Sequence, residues 1–163
     1  MTHTERYRTL YEHEKDGNNK MLIMLEAFPE NARGDARFQK AIRLADHLAA
    51  GRENWLDHMA GKGENQVAWW NEQNDLSSLR PRFAALEHRW TEYLARLEDG
   101  QLAQEFAFTE ANEETYRVPI GVQIEQLVGH AAYHRGQIVL LLDQLGVETF
   151  DTDYVDWCWA QQN

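Results

Sequence analysis

Cysteine is nearly absent from this chain: Cys158 stands alone among 163 residues. One thiol cannot close an internal disulfide, which excludes a disulfide scaffold and fits a reducing cytoplasm. Proline is scarce too, with three residues, so long helices face few breaks. Basic residues are outnumbered 16 to 27 by acidic ones, giving a formal net charge of -11. Such a surface repels a phosphate backbone, and nucleic acid is not an expected partner. No apolar run is long enough to span a bilayer, and the opening stretch MTHTERYRTLYEHEKDG lacks the hydrophobic segment of a signal peptide. The expectation is a cytoplasmic protein without a membrane segment. Several catalytic signatures are missing as well. There is no nucleotide-binding glycine loop and no G-x-S-x-G elbow.

What remains is helical. At 163 residues the chain is expected to form one domain, 1–163, with 43% hydrophobic residues and 18 aromatic ones to fill its core. Tyr7, Leu10, Tyr11, Met21, Leu22, Leu25 and Phe28 keep one face over residues 4 to 28. That continuity predicts a single helix running through Asp16-Gly17-Asn18-Asn19, capped by Thr4 and ended by Pro29. A second helix is predicted over 35 to 60, with Gly61 and Gly63 stopping it. The third spans about 76 to 98, with Pro81 expected in its first turn and the start displaced toward Arg80. Between them, GKGENQVAWWNEQND reads as a loop. Its Trp69 and Trp70 are expected to anchor it to the core, a lid over a pocket being the alternative.

Residues 103 to 109 and 114 to 118 flank a polar turn and suggest a small hairpin. Pro119 opens a last long helix over 120 to 145, and Thr152 is a candidate cap for a short terminal helix. The fold class is therefore all-α: a four-helix bundle with a small β-hairpin before the last long helix and a short C-terminal helix.

That last helix, IGVQIEQLVGHAAYHRGQIVLLLDQL, carries the candidate chemistry. Ile124, Leu127, Ala131, Ile138, Leu142 and Leu145 form its apolar stripe. His130 and His134 lie at one margin of that stripe, with Gln123, Gln126 and Gln137 along the same edge. At ~100° and ~1.5 Å per residue the two rings leave one face, ~6 Å apart along the axis. They can chelate one divalent ion, or they can be a hydrogen-bonded pair at a helix seam. A zincin is excluded because Ala131 follows His130 where HExxH needs glutamate. A ferritin-like di-iron site is excluded by the lack of any Glu-x-x-His element. Cys158 reads as a packed thiol rather than a nucleophile.

The run HAAYHRGQIVLLLDQLG over 130 to 146 resembles the hallmark segment of the DinB-like superfamily of bacterial metal-binding four-helix bundles. Asn19 ahead of the leucine-rich half of the first helix agrees with that likeness. So do His47 followed by Trp55, the hairpin before the last helix and TDY at 152 to 154. The resemblance implies a third ligand, His47, beside His130 and His134. The sequence by itself does not choose His47 over His13, His58 or His88. It further implies a bound Zn²⁺ or Ni²⁺, a homodimer, and a small-molecule substrate, with a low-molecular-weight thiol as one class. The expected function is a metal-dependent enzyme, a thiol-dependent S-transferase or a hydrolase. The alternative is a non-catalytic bundle stapled by its metal, or a small-ligand-binding stress protein. Helical geometry turns Arg135 away from the ligand face, toward an expected carboxylate on a neighbouring helix. Gln137 is placed to orient a histidine or a bound water.

Overall fold

Thr2, not Thr4, starts the first helix, α1 (His3–Ala27). Its hydroxyl accepts from the Glu5 N–H at 3.1 Å while the Glu5 carboxylate accepts from the Thr2 N–H at 2.7 Å, a reciprocal capping box. Thr4 is instead buried within the first turn, and its N–H donates to Asp99. The computed structural model describes residues 1–62, 67–72, 75–109 and 114–162. In it α1 is followed by α2 (Ala36–Met59), α3 (Leu76–Arg96), the strands β1 (Glu105–Thr109) and β2 (Thr115–Pro119), α4 (Ile120–Asp143) and α5 (Tyr154–Ala160).

α1 runs unbroken through Gly17, as the continuous apolar face predicts. Gly17 has a packing role there. A Cβ at that position would come within 2.9 Å of Arg135 Nε, whose guanidinium crosses the helix at this point. Arg135 is buried, and its partner departs from expectation: Nη1 donates to the Asn18 amide oxygen at 3.3 Å, not to a carboxylate. Asp16 acts on it only through charge, and burial pulls the guanidinium down to about 10.

α2 ends where Gly61 turns left-handed at φ 81°, a conformation glycine adopts without a Cβ penalty. Gly63 lies outside the described residues. α3 begins earlier than Pro81 implies. Asp75 accepts from the Ser77 N–H at 3.0 Å and fixes the start at Leu76, so Pro81 falls in the second turn. The cap outweighs the one backbone bond that proline forgoes.

The strands pair antiparallel from Glu105↔Pro119 to Thr109↔Thr115; the turn residues 110 to 113 lie outside the described residues. Phe106 and Phe108 share one face of β1. They meet Trp55 at centroid distances of 6.1 and 4.7 Å, which seats the hairpin on the C-terminal half of α2.

The expected caps differ at the C-terminus also. Asp153, not Thr152, precedes α5. The Thr152 carbonyl accepts from His13 Nε2 at 2.8 Å, and Tyr154 and Trp157 set their rings edge-on to His13. Those contacts dock the terminal segment on α1. Cys158 is only partly buried, one turn from Tyr154 on α5.

α1 and α2 each pack against both α3 and α4. The core between them holds Phe38, Trp90, Leu127, Ile138 and Leu142, with the stripes predicted for all four helices turned inward. The fold is an all-α four-helix bundle with the small hairpin and terminal helix. Among the described residues no helix is long and apolar enough to cross a membrane. The seam between α2 and α4 brings together residues from opposite halves of the chain.

Candidate metal centre

His47 comes from the middle of α2, and His130 and His134 come from successive turns of α4 facing it. One ring nitrogen from each lies within 4.8 Å of the others. The ring centroids are 5.1 Å apart for His47 and His130, 5.0 Å for His47 and His134, and 4.5 Å for His130 and His134. Gly51, one turn after His47, faces His130: a Cβ there would meet Cε1 at 3.6 Å, an ordinary van der Waals contact.

The outer nitrogens of two rings are already committed. His47 Nδ1 lies 2.7 Å from the Trp69 carbonyl. A carbonyl only accepts, so Nδ1 carries the proton and Nε2 presents its lone pair. His134 Nδ1 likewise meets the Gln137 amide oxygen at 2.8 Å, the orienting role expected of Gln137, which leaves His134 Nε2 free. Metal-ligating imidazoles are commonly fixed by such bonds on the far nitrogen. His47 Nε2 and His130 Nε2 are 3.1 Å apart. Two lone pairs at that distance repel unless a proton or a cation lies between them.

Electrostatics favour the neutral form of two of the rings, His130 and His47. Burial, followed by the charges of His134, His47 and Arg52, holds His130 down at about 4. Burial also lowers His47, partly opposed by the Trp69 carbonyl. A neutral imidazole is the form that binds metal, so the donor set suits a divalent ion.

The loop after α2 closes the site, and its tryptophans divide the two roles expected of them. Trp69 anchors, packing against Trp55 at 5.4 Å and Phe108 at 6.2 Å. Trp70 covers: its ring stacks on His47 at 3.7 Å with a 2° interplanar angle, yet remains 51% exposed. Asn54 on α2, fully buried, ties the loop down by bonding both the N–H and the carbonyl of Val67 at 3.1 and 2.9 Å. The tryptophan doublet was the visible signal for this cover. Nothing in the sequence marked Asn54 or the Trp69 carbonyl.

The remaining candidates are elsewhere. His13 is held by the C-terminal segment, His58 is buried edge-on to Phe108, and His88 is exposed beside Glu92. The geometry therefore separates His47 from them, a choice that rested on resemblance alone at the level of sequence.

Known proteins resemble this chain over most of its length. Protein DinB of Bacillus subtilis (strain 168) is 21% identical over 155 residues, covering 89% of this chain and 89% of that one. No solved structure gives a match. The profile of the DinB family matches residues 1–163, hairpin and histidine-bearing helix included, and the chain belongs to that family.

Proposed function

We propose that this protein is a divalent-metal-dependent enzyme whose ion, Zn²⁺ or Ni²⁺, is held by His47, His130 and His134. The observation that carries the reading is the convergence of three imidazole nitrogens, with the far nitrogens of His47 and His134 held by Trp69 and Gln137. Both ions accept neutral imidazole donors. An ion bound by three uncharged ligands keeps its full charge and supplies Lewis-acid activation of a water or a small thiol. The chain's own residues supply the rest: Gln137 and the Trp69 carbonyl hold the rings of His134 and His47, and Trp70 stacks over His47. Among the described residues this cluster holds no carboxylate to act as base, which favours activation at the ion itself. The reaction class that fits best is S-transfer from a low-molecular-weight thiol to a compact electrophile, or else hydrolysis.

A panel of electrophiles assayed with glutathione, mycothiol, bacillithiol, cysteine or water alone tests this. Metal-dependent turnover with one thiol, absent from His134→Ala, is the expected result. Turnover with none of them would overturn the enzymatic reading in favour of a structural metal.

We also propose that the chain pairs with itself through α4. Val122, Tyr133 and Leu140 are 53%, 65% and 57% exposed. On a helix of ~100° per residue they fall, with Gly129 and Gly136, within one narrow stripe opposite the core. An apolar outer stripe flanked by glycines suits close helix contact with a second copy. Light scattering should give twice the 19.1 kDa chain mass, reverting to a single chain in Leu140→Glu. A wild-type mass of one chain would sink the pairing.

A further inference from the structure

At the end of the bundle away from the histidines, a cavity of about 370 Å³ opens between the last turns of α2 and α3 and the start of α4. Its floor residue Asp57 stands ten residues beyond His47, and Ile120 stands ten before His130. Each step is ~15 Å of helix, so the cavity is separate from the imidazole cluster. Leu56, Met59 and Ile120 give it an apolar wall.

The polar part is unbalanced. Asp57 is buried, and its Oδ1 takes Lys62 Nζ at 2.8 Å and an Arg89 amino group at 2.6 Å. One carboxylate neutralises only one of these two cations. The other two charges lining the space, Glu92 and Arg96, face each other at 3.9 Å and cancel. Among the described residues a single positive charge is therefore left over at the cavity, on a chain with a formal net charge of -11. Tyr93 also lines it, and its hydroxyl is buried without a hydrogen-bond partner among the described residues. A buried donor left unmade is costly, and an acceptor from a ligand removes that cost.

We propose that this cavity binds a small monocarboxylate with an apolar body. The carboxylate meets Lys62 and Arg89, Tyr93 serves as the neutral donor, and the hydrocarbon lies on Leu56, Met59 and Ile120. One surplus charge matches a monoanion rather than a phosphate dianion, and the wall matches an aliphatic or aromatic chain.

Hexanoate and hexan-1-ol, titrated into the purified protein with and without Zn²⁺, distinguish the charge from the hydrocarbon. By NMR, hexanoate should shift Arg89, Tyr93 and Ile120 with a Kd on the order of 1 mM, the range open to a ligand of this size. Hexanol should bind at least tenfold more weakly. Arg89→Met leaves Asp57 paired with Lys62, so it should fold and lose about tenfold in hexanoate affinity; Tyr93→Phe should lose severalfold. The binding should be the same with and without metal, which keeps it distinct from the histidine site. Equal affinity for the alcohol, shifts confined to the histidines, or unchanged binding in both variants would overturn the proposal.

Discussion

Glu14→Ala should destabilise the fold by about 3–5 kcal/mol, read as a fall in the urea midpoint. Glu14 on α1 and Arg52 on α2 form a two-pronged ion pair, Nε to Oε1 at 2.6 Å and Nη2 to Oε2, with side chains only 4% and 7% exposed. The guanidinium also lies 4.9 Å from the Trp90 ring centroid and 5.9 Å from that of Tyr11. Trp90 in turn donates from Nε1 to the Arg52 carbonyl at 3.1 Å. Burial already pulls Arg52 down to about 9, and removing Glu14 strands a cation that cannot conveniently shed its charge. The double variant Glu14→Leu, Arg52→Met removes both charges while keeping volume. It should recover most of the loss, because desolvation offsets much of what the intact pair contributes. A cost below about 1 kcal/mol for Glu14→Ala would mean that the pair is solvated.

That pair marks the limit of what the sequence discloses. The inward stripes of α1 to α4, with Phe38, Trp90, Leu127 and Ile138 at their centres, follow from apolar spacing alone. A buried arginine leaves no such trace. Arg52 reads as solvent-facing by residue type, and Arg135 as the partner of a carboxylate on a neighbouring helix. Both are buried because acceptors on α1 meet them, Glu14 for one and the Asn18 amide for the other. Helix starts misled for a related reason. Thr2, Asp75 and Asp153 won over Thr4, Arg80 and Thr152 through local bonds or tertiary contacts that periodicity does not register. His130 and His134 were legible as a pair through their spacing. His47 was not, since its selection over His13 and His58 depends on which seam each helix face enters. Resemblance supplied that residue, and the α2–α4 seam gives it a physical reason.

Adding Zn²⁺ or Ni²⁺ should stabilise the wild type, and the gain should disappear in His130→Ala. His47 and His130 are 83 residues apart in sequence but meet at 3.1 Å in the folded chain. The unfolded chain does not hold them together, so binding falls chiefly on the native state. With free ion at 100 times its Kd, the stabilisation is about 2.7 kcal/mol. A chelator should reverse it. His130→Ala leaves His47 and His134 facing each other from separate helices, with one donor too few for the proposed three-histidine set. If the metal raised the melting temperature of His130→Ala as much as that of the wild type, the stabilising ion would be bound somewhere else.

Metal content per chain, measured by elemental analysis after extensive dialysis, tests the three-histidine centre most directly. Wild type should retain about one divalent ion per chain, and His47→Ala, His130→Ala and His134→Ala should each retain almost none at neutral pH. Wild-type metal content in all three variants would contradict the assignment.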